Sequence, residues 1–295
     1  MPFQIGNGVI MSLILGLLTA ALWGLTDFLV GVNSKKTGVL WSLLFSHLVA
    51  FVVLSSLVLT VWPFHFDPAY ADTYLKAFIS AVLISIGALL LCLAFKWGKI
   101  SIIAPLVATY GCFTAFFSWA GGDVLSQAEY LGIGVCAIGV VFVSQSGREK
   151  AASSGASAFP ILSALCAACL WGLSFWIQGT YVLPILEPAQ MLLLNSVVGV
   201  VMVGAAVTAF SVRIPRLHTR NCVCLLGAGV ANVTGFLCFA WGLASGSPAV
   251  VTVLSTLSGA VACIIAVVLL RERLARIQII GCGLILLGAM FLTGA

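Results

Sequence analysis

Three polar side chains stand inside stretches that are otherwise apolar: Asp27 in LWGLTDFLVG, His47 in LLFSHLVAF and Asn195 in LLLNSVVG. An ionisable group in an apolar segment is costly and marks a functional position unless it finds a partner. Asp27 lies about six residues from the end of its segment, ~9 Å in from the basic face at 1.5 Å per residue, and His47 lies ~13 Å in from the same face. At those depths the two side chains are within reach of each other or of a shared water. One reading has Asp27 taking up a proton or meeting a substrate ammonium, while His47 and Asn195 offer hydrogen bonds and the imidazole relays protons near neutral pH. The other has Asp27 snorkelling to Lys35 or Lys36 and His47 donating to a backbone carbonyl.

Further candidates surround these three. Trp23 and Trp171 sit one helical turn from Asp27 and Phe175, respectively, where they serve either as aromatic walls or as a shared structural element. Pro105 removes a backbone donor just before Thr109 and Tyr110, giving a broken helix at a cavity or a tolerated kink. Gln178, Asn232, Thr234, Ser255, Thr256 and Ser258 face either a cavity or a neighbouring helix.

Catalytic chemistry is poorly provided for. No HExxH, paired aspartates or serine with histidine at a usable spacing occurs, and no GKS or GKT marks a phosphate loop. Cys166 and Cys169 form a CxxC with no second pair at zinc spacing, and the other cysteines fall within apolar runs as small packing residues. A non-enzyme with no cofactor and no metal is expected.

The elements that must position these residues follow from composition. Of 295 residues, 62% are hydrophobic and 7% charged, with a mean hydropathy of +1.22, which a soluble core cannot bury. The net charge of +5 forms no continuous basic face, so nucleic acid is not an expected partner. Runs long enough for ~30 Å of hydrocarbon occur at Val9–Val30, Val39–Val61, Tyr74–Phe95, Ile102–Trp119, Ala128–Ser144, Ala158–Gln178, Pro188–Phe210, Cys222–Leu243, Ala249–Leu270 and Ile277–Leu292. The first has no basic residues before it and is too long for a signal-peptide core, so it reads as a spanning helix. The expectation is an all-α integral membrane protein with ten transmembrane helices.

A repeat underlies the ten. A shift of 148 residues superposes Trp23 on Trp171, Gly24 on Gly172, Gly31 on Gly179 and Gly87 on Gly235, and a shift of 149 superposes Asp123 on Glu272 and Gly139 on Gly288. Five-helix units over 1–147 and 158–295, joined by a linker at 148–157, have an odd number of crossings each and are therefore inverted. Twelve of the thirteen Lys and Arg residues fall in alternate connections, which predicts both termini outside.

The WG pair opening each half, the link FKWGKISIIAPL, and the GD and RERL signals resemble the EamA-type group of the drug/metabolite transporter superfamily. The usual Gly-Glu pair reads Gly122-Asp123 in the first half, and Asp123 and Glu272 are expected to be helix-end anchors. The resemblance implies a carrier with a central cavity between inverted halves, in a bilayer such as the bacterial inner membrane. The function expected is secondary transport of small organic metabolites, foremost export of amino acids or related compounds by alternating access, with protons as a possible partner. The alternative is a facilitator or uptake carrier for a sugar or nucleobase; a channel or scramblase ranks below both.

Overall fold

The computed structural model describes residues 3–61, 67–122, 124, 126–154, 158–213, 219–245, 254–255 and 257–291. The helices are α1 (Phe3–Lys36), α2 (Val39–Thr60), α3 (Ala71–Trp97), α4 (Ile100–Val107), α5 (Tyr110–Ala120), α6 (Gln127–Ser154), α7 (Phe159–Ile177), α8 (Pro188–Ala209), α9 (Thr219–Ser245), α10 (Ser258–Leu270) and α11 (Arg276–Phe291). No strand occurs among the described residues. Seven stretches are long and apolar enough to cross a membrane: Leu13–Lys36, Val39–Thr60, Pro68–Trp97, Ile100–Ala120, Phe159–Val182, Pro188–Ala209 and Asn221–Phe239. Gln127–Val143, Ser258–Leu270 and Arg276–Phe291 are shorter apolar helices.

Local chemistry sets the helix ends. Lys35 and Lys36 occupy the last turn of α1, where cations complement the C-terminal dipole. Gly38, at φ +91°, takes the left-handed turn that lets α2 begin one residue later. Prolines at the first turns of α7 and α8 cost nothing, because the missing N–H has no helical acceptor there. Two elements depart from the expected boundaries. The fourth run is interrupted at Ala108–Thr109, and α6 carries on to Ser154, so most of the expected linker is helical.

The core is built from small residues and the exterior from large ones. Ala77, Ala94, Ala104, Ala167 and Ala262 are fully enclosed, whereas Leu59, Val201 and Leu269 point outward. That distribution suits helices surrounded by lipid, where close backbone approach replaces the hydrophobic effect as the source of packing. The main seams join α1 to α9, α3 to α7, α6 to α11 and α2 to α8.

The seams are reciprocal at the sequence shift. The Trp23 indole fills the space beside Gly235, and the Trp171 indole fills that beside Gly87. Gly24 rests on Val261 and the Ser258 carbonyl, while Gly172 rests on Phe113 and the Tyr110 carbonyl. Thr26 Oγ1 donates to Ala228 O at 3.4 Å, and Ser174 Oγ donates to Ser80 O at 3.0 Å. At the α6–α11 seam, Gly139 meets Gly281 and Ile285, and Gly288 meets Gly132 and Cys136.

Candidate functional site

α1 carries Trp23 and Asp27 on one face, because residues four apart lie one above the other on a helix. The same helix is held against α9 and α10 by Gly24 and Thr26, which turn its Asp27 face toward the middle of the bundle. There, α1, α2, α3, α4, α5, α7, α9 and α10 enclose a cavity of about 180 Å³. Trp23, Asp27, His47, Tyr110 and Trp171 all line it.

Asp27 makes no hydrogen bond or ion pair with any described residue. Lys35 and Lys36, the partners of the snorkelling alternative, do not reach it. Cys92 and Tyr110 lie within electrostatic reach of its carboxylate. His47 shares the cavity but does not bond to Asp27. Its Nδ1–Cε1 edge lies against Gly199 on α8, and its Nε2 is enclosed without a partner. Gly199 is thus the residue that admits the imidazole between α2 and α8.

The aromatic walls come in two edge-to-face pairs. Trp23 and Phe236 lie 4.8 Å apart at 64°, and Tyr110 and Phe175 lie 5.2 Å apart at 65°. Trp171 donates its indole N–H to Ile84 O at 3.2 Å, whereas the Trp23 N–H is enclosed without an acceptor. The equivalence of the two tryptophans therefore extends to position and packing, not to hydrogen bonding.

Pro105 lies inside α4 and is fully buried. The N–H it lacks would have bonded Ser101 O, and Cys282 Sγ approaches that carbonyl at 3.8 Å instead. Thr109 Oγ1 donates to Leu106 O at 2.7 Å across the interruption, and Ala104, Val107 and Ala108 line the cavity. The broken helix thus borders the site. Its N-terminus is anchored by Glu272, which accepts from Ile100 N at 3.3 Å, Ser101 N at 3.0 Å and Ser101 Oγ at 2.6 Å. Asp123, the expected counterpart, lies outside the described residues, as does Thr256.

Two expected site residues are elsewhere. Gln178 is buried between α3 and α7, donating to Ser80 Oγ at 2.8 Å and Ser174 Oγ at 3.0 Å, so its amide serves that seam and does not line the cavity. Asn195 does not line it either; its Oδ1 is enclosed on α8 without a partner. Asn232 and Ser258 do line it, Ser255 is buried away from the lining, and Thr234 faces outward. Thr26, Ser46, Cys92 and Phe236 complete the lining without having been singled out in sequence. The first two adjoin Asp27 and His47; Cys92 and Phe236 carry no signal distinguishing them within apolar runs.

Among the described residues no group of His, Cys, Asp or Glu is placed to hold a metal ion, and the cysteines are free. The site's resources are one unpaired carboxylate, aromatic surface and a few neutral polar groups.

Comparisons with known proteins agree with this picture. Residues 158–294 match the family model described as the EamA-like transporter family. No curated protein matches the chain in sequence. A solved structure titled only "Crystal structure of protein" superposes with a TM-score of 0.62 over 95% of this chain and 95% of that one, at 14% identity, a likeness of fold alone. Residues 158–294, somewhat under half of the chain, are thus similar to the EamA-like transporter family, and seven of the described helices are long and apolar enough to cross a membrane.

Proposed function

We propose that the protein is a secondary transporter of ten membrane-spanning helices, arranged as two inverted five-helix repeats over 1–147 and 158–295, that moves a small organic metabolite by alternating access. The reciprocal pairs Trp23–Gly235 and Trp171–Gly87 support the repeat, since a pseudo-two-fold relation between halves would generate such exchanges. The observation that carries the transport reading is the unpaired Asp27 in a cavity to which helices of both halves contribute. A carboxylate so placed is the natural receptor for a proton or an ammonium group. From the expectation of amino acids and related compounds the site retains the ammonium those molecules share with simple amines, and export is the direction we favour. A facilitator or uptake carrier for a sugar or nucleobase is the second reading, weakened because neither substrate supplies a counter-charge for Asp27.

Purified protein in proteoliposomes, assayed with a panel of labelled amines and amino acids, tests the proposal. Uptake of at least one compound is expected to saturate and to accelerate when unlabelled compound is loaded on the opposite side. Flux that rises linearly with concentration and shows no counterflow would assign the chain to channels or scramblases.

A further inference from the structure

Resting on the transporter reading, we infer that the cavity selects organic amines that lack a carboxylate, with the ammonium at Asp27 and an apolar or aromatic body against the rings, and that it discriminates against zwitterionic amino acids. The argument is one of charge and donors. A zwitterion brings two charges, and the cavity offers a counter-charge for one. Among the described residues, no Lys or Arg lines it. Among the described lining residues His47 is the side chain that could serve as a cation, yet its Nε2 is enclosed and its Nδ1–Cε1 edge rests on Gly199.

Tyr110, Asn232 and Ser258 line the cavity with no side-chain hydrogen bond to a described residue, but a neutral donor offsets a carboxylate's charge less than a cation does, and the other polar groups are occupied. Thr26 Oγ1 is committed to Leu22 O at 2.8 Å, and Ser46 Oγ to Ser42 O at 3.0 Å. The Trp171 N–H is spent on Ile84 O, and the Trp23 N–H is enclosed. Both tryptophans therefore present ring surface to the cavity instead of a hydrogen-bond donor. A substrate carboxylate stripped of water there would keep a full charge against Asp27, with no opposing cation to offset the repulsion and desolvation. An ammonium gains on both counts, since it meets the carboxylate and lies among aromatic rings whose faces attract cations. No single feature of the chain's composition points this way; it follows from a lining that carries one carboxylate and, among the described residues, no Lys or Arg.

The test uses the intact purified protein and three probes that share a phenyl ring and a short alkyl chain: phenethylamine, phenylalanine and 2-phenylethanol. Binding is read by thermal stabilisation and by quenching of tryptophan fluorescence. Phenethylamine is expected to bind roughly tenfold or more tightly than either of the others, the gap that one unmatched charge interaction of ~1.4 kcal/mol or more produces. Asp27→Asn should bring phenethylamine down to the level of 2-phenylethanol, and Asp27→Glu should restore part of the preference; the melting temperature of each unliganded variant reports whether it is folded. Phenylalanine binding as tightly as phenethylamine, phenethylamine producing no stabilisation, or a folded Asp27→Asn retaining the amine preference would each overturn the inference. These outcomes are separate from failure of the transporter reading, which is linear flux in proteoliposomes whatever binds.

Discussion

Asp27 and His47 occupy one cavity but do different things with it. The carboxylate has no partner among the described residues, and the imidazole is wedged beside Gly199 with an enclosed Nε2. His47, Tyr110 and Cys92 are the other titratable groups on the lining, and of these only the histidine ordinarily titrates near neutral pH. If Asp27 is the proton or ammonium receptor, protonation removes its charge, and amine transport falls as the pH is lowered through its titration. Asp27→Asn is therefore expected to reduce transport and to remove the fall at low pH that its titration produces, with an unchanged melting temperature. A pH profile in the variant that keeps the wild-type shape would assign the titration to another group. The lining residues Trp23, Asp27, His47, Tyr110, Trp171, Asn232 and Ser258 were legible in the sequence because polar or aromatic groups stand out in apolar runs. Gln178 and Asn195 stand out equally, yet one is absorbed by the α3–α7 seam and the other stays enclosed on α8. Polarity marks a residue as unusual; the rotation of its helix decides what it faces.

At the scale of elements, the seams depend on glycine where backbones touch. At Gly139 an added Cβ would lie 2.7 Å from the Gly281 carbonyl and 2.8 Å from Ile285 N, so α6 and α11 would have to separate. At Gly134, on the same helix, nothing lies within 4 Å. Gly139→Ala is expected to destabilise the protein by about 1–3 kcal/mol through overpacking. Gly134→Ala should be neutral or slightly stabilising, by up to about 1 kcal/mol, since alanine is the better helix former. Thermal unfolding of the two variants side by side checks the pair, and equal shifts would remove the seam argument. The interruption between α4 and α5 was foreshadowed by Pro105. Its anchoring by Glu272 was foreshadowed only as a helix-end role, because an acidic residue in a loop does not disclose which N–H groups it will meet.

For the whole molecule, the proposed ten-helix topology places both termini on the same side, and the basic residues place that side outside. Reporter fusions at the N- and C-terminus are expected to report the same external compartment. Opposite locations would mean an odd number of crossings and would undo the inverted repeat. The reciprocal seams bear on the same point, for they bring each half's opening tryptophan into the other half and leave one cavity to which both contribute. Charge breaks that equivalence: Asp27 has Phe175 as its counterpart, so the two walls of the cavity are alike in shape and unlike in chemistry.

Hydropathy and the length of the apolar runs were enough to point to an all-α membrane protein, and the WG and RERL signals to the transporter family that residues 158–294 resemble. Those properties are set by transfer of whole segments from water, to which every residue contributes irrespective of its direction. Tertiary structure alone decided that Asp27 meets no partner among the described residues, that the Nδ1–Cε1 edge of His47 rests on Gly199, and that Cys92 and Phe236 join the lining. Each of these depends on how far a helix is rotated about its axis. That rotation is set by small residues closing on a neighbouring helix, often distant in sequence, as Gly24 does on α10 and Gly199 on α2.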